Sequence, residues 1–140
     1  VVPATTTMRL PVGPGTMRPL LTSGLGRLLL SGASDEEVQQ IVMRHNAGPF
    51  AEGERVSLAA VRRDLTTIRA NGYAIFYKGV TPGAAVLGML MPLQDSGLAL
   101  AAVGIGGWAR TVRAHEQAYV QLLRDTISRY LGNHGGRKAA

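Results

Sequence analysis

The sequence contains no cysteine in its 140 residues. This absence excludes disulfide bonds, thiolate metal sites and cysteine nucleophiles, and it makes a reducing cytoplasm the simplest location for the chain. Residues 1–7 also lack the charged start and long apolar stretch of a secretory signal. The chain does not begin with methionine, so we expect it to be an amino-terminally truncated piece of a longer protein.

No apolar run is long enough to cross a membrane as a helix. The most apolar region, residues 84–106, is split by the polar turn sequence Gln94-Asp95-Ser96-Gly97. The resulting pieces are roughly ten residues long, about half of what spans a bilayer. The sequence therefore predicts a protein with no membrane partner.

Acidic side chains are fewer than basic ones, 9 against 15, which gives a formal net charge of +6. The basic residues are spread along the chain rather than clustered on one predicted element. Nucleic-acid binding needs aligned phosphate contacts and usually a reading helix or stacking aromatics. The pattern therefore favours a solvated basic surface over a nucleic-acid groove.

The side-chain sets that carry common enzyme chemistry are also missing. His45, His115 and His134 fall on separate predicted elements and lack the spacing of a zinc site. There is no Gly-x-Ser-x-Gly motif, no phosphate-loop lysine and no pair of carboxylates flanking a predicted cleft. We therefore predict no catalytic residue, no metal site and no cofactor, and we expect that the chain is not an enzyme.

The sequence does contain enough apolar material for one core. At 140 residues and 46% hydrophobic content, a single domain is expected. Four prolines up to residue 21 predict an extended start. Three helices follow, and Ser34 with Glu37 three residues later forms a capping-box pattern at the second. The predicted helices cover residues 22–32, 34–48 and 57–72.

Strand patterns come after the third helix. Residues 73–77 are aromatic and β-branched, and two apolar runs follow at 84–93 and 98–105. The turn sequence between those runs predicts a hairpin. Three antiparallel strands are therefore expected.

A closing helix is predicted over residues 111–131, with Gly132 as its end. Its predicted apolar face consists of Ala118, Tyr119, Leu122, Leu123, Ile127 and Tyr130. The order of elements predicts an α+β fold, an antiparallel sheet flanked by helices. We expect one domain over residues 1–132 and a disordered tail at 133–140.

A glycine-rich motif precedes the closing helix. Residues 104–109, Gly-Ile-Gly-Gly-Trp-Ala, match the spacing of a dinucleotide-binding fingerprint. That fingerprint belongs in a strand-helix-strand unit with an acidic residue about 20 positions later, and this context is missing. Alternate glycines in a strand instead leave one face bare, and Gly88 in the partner strand would extend the bare area if it faces the same way. Such an area could hold a ligand or a packed helix, and the composition alone does not decide between these two interpretations.

Several segments resemble the isocitrate-lyase-regulator (IclR) family of bacterial transcriptional regulators. Pro19-Leu-Leu-Thr-Ser-Gly-Leu-Gly-Arg27 is similar to the family's proline-leucine-histidine, small segment and glycine-lysine that open a helix. Ala101-Ala-Val-Gly-Ile-Gly-Gly107 resembles its two alanines followed by alternating serines. The other similar segments are 68–74, 88–95 and 127–132. The resemblance covers about residues 15–132, in the family's order.

The resemblance implies a GAF-like, PAS-like domain that binds a small-molecule effector and self-associates as a dimer or tetramer. It also implies that DNA is bound only through an amino-terminal winged helix-turn-helix, which is missing here. By residue-to-residue matching, the family's effector-binding positions are Gly24, Leu25, Gly88, Gly104 and Gly106. Here the glycines at 88, 104 and 106 replace a cysteine or small polar residue and two serines, so the pocket is expected to be roomier and less polar.

Lys78 follows the first predicted strand, where acidic residues are common in the family. We hypothesise that Lys78 faces the pocket mouth and pairs with an anionic effector such as an aromatic or other organic acid, and a solvated lysine is the alternative. Two other interpretations of the whole chain stay open. One is an assembly module whose glycine-lined area is filled by its own side chains, and the other is a dinucleotide-binding enzyme fragment.

Overall fold

The computed structural model describes residues 13–49, 54–77, 81–91 and 101–135, with side chains up to residue 133. Within these ranges the chain forms five helices and three strands. Their bounds are α1 Gly24–Leu30, α2 Asp35–Asn46, α3 Leu58–Asn71, β1 Ala74–Phe76, β2 Ala84–Met91, β3 Ala101–Trp108, α4 Ala109–Ala114 and α5 Glu116–Gly135. The predicted α+β class is confirmed.

Serine side chains start the first three helices. Ser23, Ser34 and Ser57 each accept a hydrogen bond from a backbone N–H of the first turn, and so satisfy a donor that has no partner within the helix. The Glu37 carboxylate accepts in return from the Ser34 N–H at 3.0 Å, which completes the predicted capping box. α3 ends at Gly72, whose φ of 79° is the left-handed conformation that favours glycine.

The three strands form one antiparallel sheet in the order β1-β2-β3. Ala74 of β1 pairs with Gly88 of β2, which pairs on its other side with Gly104 of β3. Because directly paired residues share a face of the sheet, this register assigns every strand residue to one of two faces.

Helices cover both faces. One face contributes Ala74, Phe76, Leu90 and Ala102 to a core with α1, α2 and α3, in which Leu28, Val61 and Leu65 are at most 1% exposed. The opposite face buries Ala85, Leu87 and Met89 against Val112 of α4 and the apolar side of α5. The sheet is thus the middle of three layers, with α1–α3 on one side and α4–α5 on the other.

The closing helix differs from its prediction in its length. The structure has two helices, α4 and α5, which meet at His115, where φ is −113° and ψ is 19°. α5 continues past the predicted end at Gly132 to Gly135. Residues 136–140 of the predicted tail lie outside the described residues, and the domain boundary at 132 stays a prediction.

The packed face of that helix was also predicted wrongly in part. Val120, Leu123 and Ile127 are the buried side chains of α5, at spacings of three and four. Ala118, Leu122 and Tyr130 belong to the predicted apolar face but are exposed, Leu122 at 50% and Tyr130 at 46%. Two apolar stripes along α5 match the helical period, and the position of the sheet decides which of them is buried.

β3 is described from Ala101 to Trp108, so it ends three residues later than the predicted 105, and the predicted start at 98–100 lies outside the described residues. The glycines near its end disfavour a strand locally, but pairing of Trp108 with Ala84 extends the ladder to that point. The predicted turn at 94–97 lies outside the described residues.

Candidate functional site

Gly88, Gly104 and Gly106, here called the glycine patch, lie on the same face of the sheet. Gly88 pairs directly with Gly104, and Gly106 follows two residues later in β3, opposite Val86. This is the face on which α1 packs. Gly88 is buried, whereas Gly104 and Gly106 are exposed. The register therefore brings three of the predicted site residues together and leaves two of them open to solvent.

The space above Gly88 is occupied by α1. A Cβ atom at this position would lie 2.8 Å from Cδ2 of Leu28 and 3.8 Å from Cδ2 of Leu25. Leu28 is 1% exposed and belongs to the core, whereas Leu25 is 40% exposed at the rim. Gly88 thus allows α1 to approach the sheet closely. The β3 side of the patch is the solvent-exposed side, but a Cβ added at Gly104 would lie 2.9 Å from the Leu87 carbonyl oxygen and 3.1 Å from Cγ1 of Val86.

Gly24 also allows α1 to lie close to the sheet. An added Cβ would lie 2.2 Å from Cγ and 2.7 Å from Cβ of Phe76, so α1 lies directly against β1 at this residue. Gly24 is therefore packed on Phe76, and its neighbour Leu25 is the residue of α1 that reaches the rim of the patch. Lys78 lies outside the described residues, so its predicted place at the pocket mouth stays a hypothesis.

Arg27 fastens α1 to its surroundings, a role that sequence reasoning did not assign to it. Its Nε donates to the Leu21 carbonyl oxygen at 2.9 Å, and its Nη1 is paired with the Asp64 carboxylate of α3. One residue earlier, a Cβ on Gly26 would lie 2.1 Å from the carbonyl oxygen of Leu20. The predicted glycine-arginine segment therefore docks the chain leading into α1, and the match to the family's glycine-lysine pair was the signal that marked it.

A concave region, here called the edge groove, follows the outer edge of β1 and has a volume of about 770 Å³. Its walls come from the start of α1, the second half of α3 and the first residue of α5, Glu116. Tyr73 donates from its hydroxyl to Oε1 of Glu116 at 2.7 Å. This hydrogen bond, with smaller effects of burial and of the Glu116 charge, raises the pKa of Tyr73. Sequence reasoning missed the groove because four separate elements build it.

The dinucleotide interpretation of residues 104–109 does not match the structure around them. β3 leads into α4, a helix of six residues that is followed by α5, and the strand pairing next to the motif is antiparallel. The fingerprint needs a longer helix and a parallel strand after it. The glycines of the motif belong to the sheet instead.

The described residues contain no group of three or more histidine, cysteine, aspartate or glutamate side chains placed to hold a metal ion. His115 stacks on Tyr119 with ring centroids 5.6 Å apart. Among the helices within the described ranges, none has the length and apolar character needed to span a membrane.

Comparisons with known proteins agree on one family. The family model for the carboxy-terminal part of the bacterial transcriptional regulator IclR matches residues 1–129. A curated relative, the HTH-type transcriptional regulator BhcR of Paracoccus denitrificans (strain Pd 1222), is 32% identical over 95 residues, which are 67% of this chain and 33% of BhcR. The aligned segment thus spans about one third of the length of BhcR.

Solved structures show the same fold. The effector domain of a transcriptional regulator IclR from Acinetobacter sp. ADP1 has a TM-score of 0.72 at 23% identity, covering 91% of this chain and 74% of that one. An IclR transcriptional regulator from Alicyclobacillus acidocaldarius has a TM-score of 0.68 at 16% identity, covering 91% and 50%. At such identities the likeness establishes the fold.

Proposed function

The chain belongs to the IclR family of bacterial transcriptional regulators, and from this we propose that it is the effector-binding and oligomerisation domain of such a regulator. In this proposal it binds a small organic acid and thereby controls DNA binding by a helix-turn-helix domain that is not part of this sequence. It acts in the cytoplasm by binding alone and catalyses no reaction. Self-association would use apolar surface such as Leu122 and Tyr130 on α5.

The observation that supports this function best is the glycine patch. Gly104 and Gly106 expose a stretch of backbone about 7 Å long on the face beside α1. Without Cβ atoms or hydroxyls, this surface suits a flat, largely apolar molecule. We place the effector over Gly104 and Gly106, next to Leu25, with Gly24 and Gly88 holding α1 in position.

A cation is needed for the acidic part of the effector, and Lys78 is our candidate for it. Arg27 is already paired with Asp64 and with the Leu21 carbonyl. Lys78 immediately follows the β1 region in the sequence, one residue after Tyr77. A lysine there would neutralise a carboxylate while leaving the patch itself apolar.

The coupling to the rest of the regulator would run through α1. Leu25 borders the open part of the patch, and Leu28 on the same helix fills the space above Gly88. A ligand that contacts Leu25 would favour one position of α1 over another. The difference between its affinities for the two positions then sets how far the population shifts. Because Arg27 connects α1 to Asp64 of α3, such a shift would also be felt by α3.

A second candidate function is an assembly module that senses nothing. The contact of Leu28 with Gly88 favours it, because the protein's own side chain already occupies that third of the patch. In this case the exposed glycines would be a consequence of strand packing alone.

Thermal unfolding in the presence of aromatic and aliphatic carboxylates separates the two candidates. A sensor is stabilised by mass action, by about 2.7 kcal/mol when the free ligand is at 100 times its Kd. We expect at least one carboxylate to raise the Tm in a saturable way, and Lys78→Ala to raise the Kd obtained from that titration about tenfold, as for a lost charged contact. An unchanged Tm across the whole series would favour the assembly module, and an unchanged affinity of Lys78→Ala would remove Lys78 from the site.

A further inference from the structure

The sheet face that carries the glycine patch also carries the single tryptophan of the chain. Gly104, Gly106 and Trp108 alternate along β3, and Trp108 pairs with Ala84 of β2. The Trp108 side chain is 49% exposed, although a tryptophan has a large apolar surface to bury. A broad aromatic surface that is open to solvent therefore borders the bare backbone of the patch.

The turn before β2 supports the indole ring of Trp108 from one side. In Thr81-Pro-Gly-Ala84 the Ala84 N–H donates to the Thr81 carbonyl oxygen at 3.2 Å, and the φ of Gly83 is 76°, as at the third residue of a type II turn. A Cβ added at Gly83 would lie 3.5 Å from Cζ3 and 3.7 Å from Cε3 of Trp108. The Gly83 carbonyl oxygen accepts from the Ala109 N–H at 2.8 Å, which ties the turn to the end of β3. One edge of the six-membered ring is thus packed on a fixed turn.

The rest of the indole offers an aromatic face and a hydrogen-bond donor. Nε1 lies on the side of the indole away from Cε3 and Cζ3, and it has no acceptor among the described residues. The strand residues next to Trp108 on this face are Ala84, Val86 and Gly106, none of which carries a charge. A molecule beside Trp108 therefore meets apolar surface, the π-system of the indole and one N–H group.

An aromatic ring gains more from this surface than a saturated ring of the same size. Aromatic pairs with centroids about 4.5–7 Å apart gain about 0.5–1.5 kcal/mol beyond the area that they bury. Gly106 lies about 7 Å from Trp108 along the strand, so a ring over Gly106 can reach the indole at such a separation. A saturated ring fills the same space but has no π-system, and it forgoes this gain.

We propose that Trp108 determines the specificity of the effector site by stacking on an aromatic ring of the effector, so that aromatic carboxylates bind more tightly than saturated carboxylates of the same size. This inference rests on the proposed function, because it requires that the effector binds over the glycine patch. It adds the chemical class of the effector and the residue that selects this class.

The test is isothermal titration calorimetry of the 140-residue chain with two matched pairs of carboxylates. Benzoate is compared with cyclohexanecarboxylate, and 2-naphthoate with decahydronaphthalene-2-carboxylate, because the members of each pair have the same charge and a similar size. We expect the aromatic member to bind about 2–10 times more tightly, which is the stacking gain expressed as a ratio of Kd values.

Two substitutions assign this preference to Trp108. Trp108→Leu keeps an apolar side chain but removes the π-system, so the ratio of the two Kd values should fall to about one. Trp108→Phe is the matched control, since it keeps an aromatic ring and should keep most of the preference. Because both acids of a pair are measured on the same variant, a general loss of affinity cancels in the ratio. Unfolding in urea checks that each variant is folded.

The possible failures of this proposal and of the proposed function are distinguishable. Equal binding of both members of a pair by the wild type, or an unchanged ratio in folded Trp108→Leu, would overturn the role of Trp108 and leave effector binding at the glycine patch intact. No binding of any of the four acids would also overturn the role of Trp108. The proposed function itself fails only when the wider series of carboxylates leaves the Tm unchanged as well.

Discussion

Gly24 carries the contact between α1 and the sheet. Its Cα lies against Phe76, and a methyl group at this position would lie 2.2 Å from the Phe76 ring. The helix or the ring must then move, and overpacking of this kind costs about 1–3 kcal/mol. We predict that Gly24→Ala lowers the free energy of unfolding in urea by this amount.

Gly132→Ala is the matched control for that experiment. Gly132 lies within α5, and nothing is within 4 Å of its added Cβ. Alanine is preferred over glycine in a helix by about 0.5–1 kcal/mol, so this variant should be as stable as the wild type or more stable. If Gly24→Ala left the free energy of unfolding as high as Gly132→Ala does, α1 would not be packed closely on β1 at this residue.

Asn46 connects two elements through its side chain. Its Nδ2 donates to the Val56 carbonyl oxygen and its Oδ1 accepts from the Val56 N–H, both at 2.8 Å. The amide thus pairs with Val56 as a backbone group would, and it fixes the end of α2 to the segment that enters α3. This pair joins residues that are ten positions apart in the sequence.

We predict that Asn46→Ala lowers the free energy of unfolding by about 1–3 kcal/mol, because both backbone groups of Val56 lose a part-buried partner. Gln39→Ala is the control, since the exposed Gln39 loses its bond from Arg62 and a weak contact with the Met43 sulfur, and should change stability by less than about 0.5 kcal/mol. Equal urea midpoints for the two variants would show that the Asn46 pair does not hold α2 to α3.

The helix starts could be predicted from sequence because their causes are local. Ser34 and Glu37 are three residues apart and bond each other in the structure as they would in an isolated turn. The buried side of α5 could not be predicted in the same way. Val120 and Leu122 both belong to apolar stripes, and only the sheet, which is distant in sequence, selects Val120.

The two candidate sites also differ in how much of each could be predicted from the sequence. That Gly104 and Gly106 share a face follows from the alternation of a strand, so this half of the glycine patch was predictable. That Leu28 occupies the space over Gly88 depends on how α1 docks, and no sequence period contains that information. The edge groove needs α1, α3, β1 and α5 together, so it appears only in three dimensions.

The described residues form a three-layer domain, and the two candidate surfaces lie in different parts of it. The glycine patch lies on the sheet face beside α1, and the edge groove lies along β1. Both surfaces contact α1, whose Arg27 is fastened to α3. A shift of α1 on effector binding would therefore also move the part of the edge-groove wall that comes from α1.

The most direct test of the effector site uses Trp108, the single tryptophan of the chain. Trp108 is 49% exposed, lies on the same face as the glycine patch and follows Gly106 by two residues, about 7 Å along the strand. A carboxylate that raises the Tm should change the Trp108 fluorescence with a single Kd, and Gly106→Leu should raise that Kd at least about tenfold by filling the patch. An unchanged Kd in folded Gly106→Leu, with no change in Trp108 emission, would contradict effector binding at this surface.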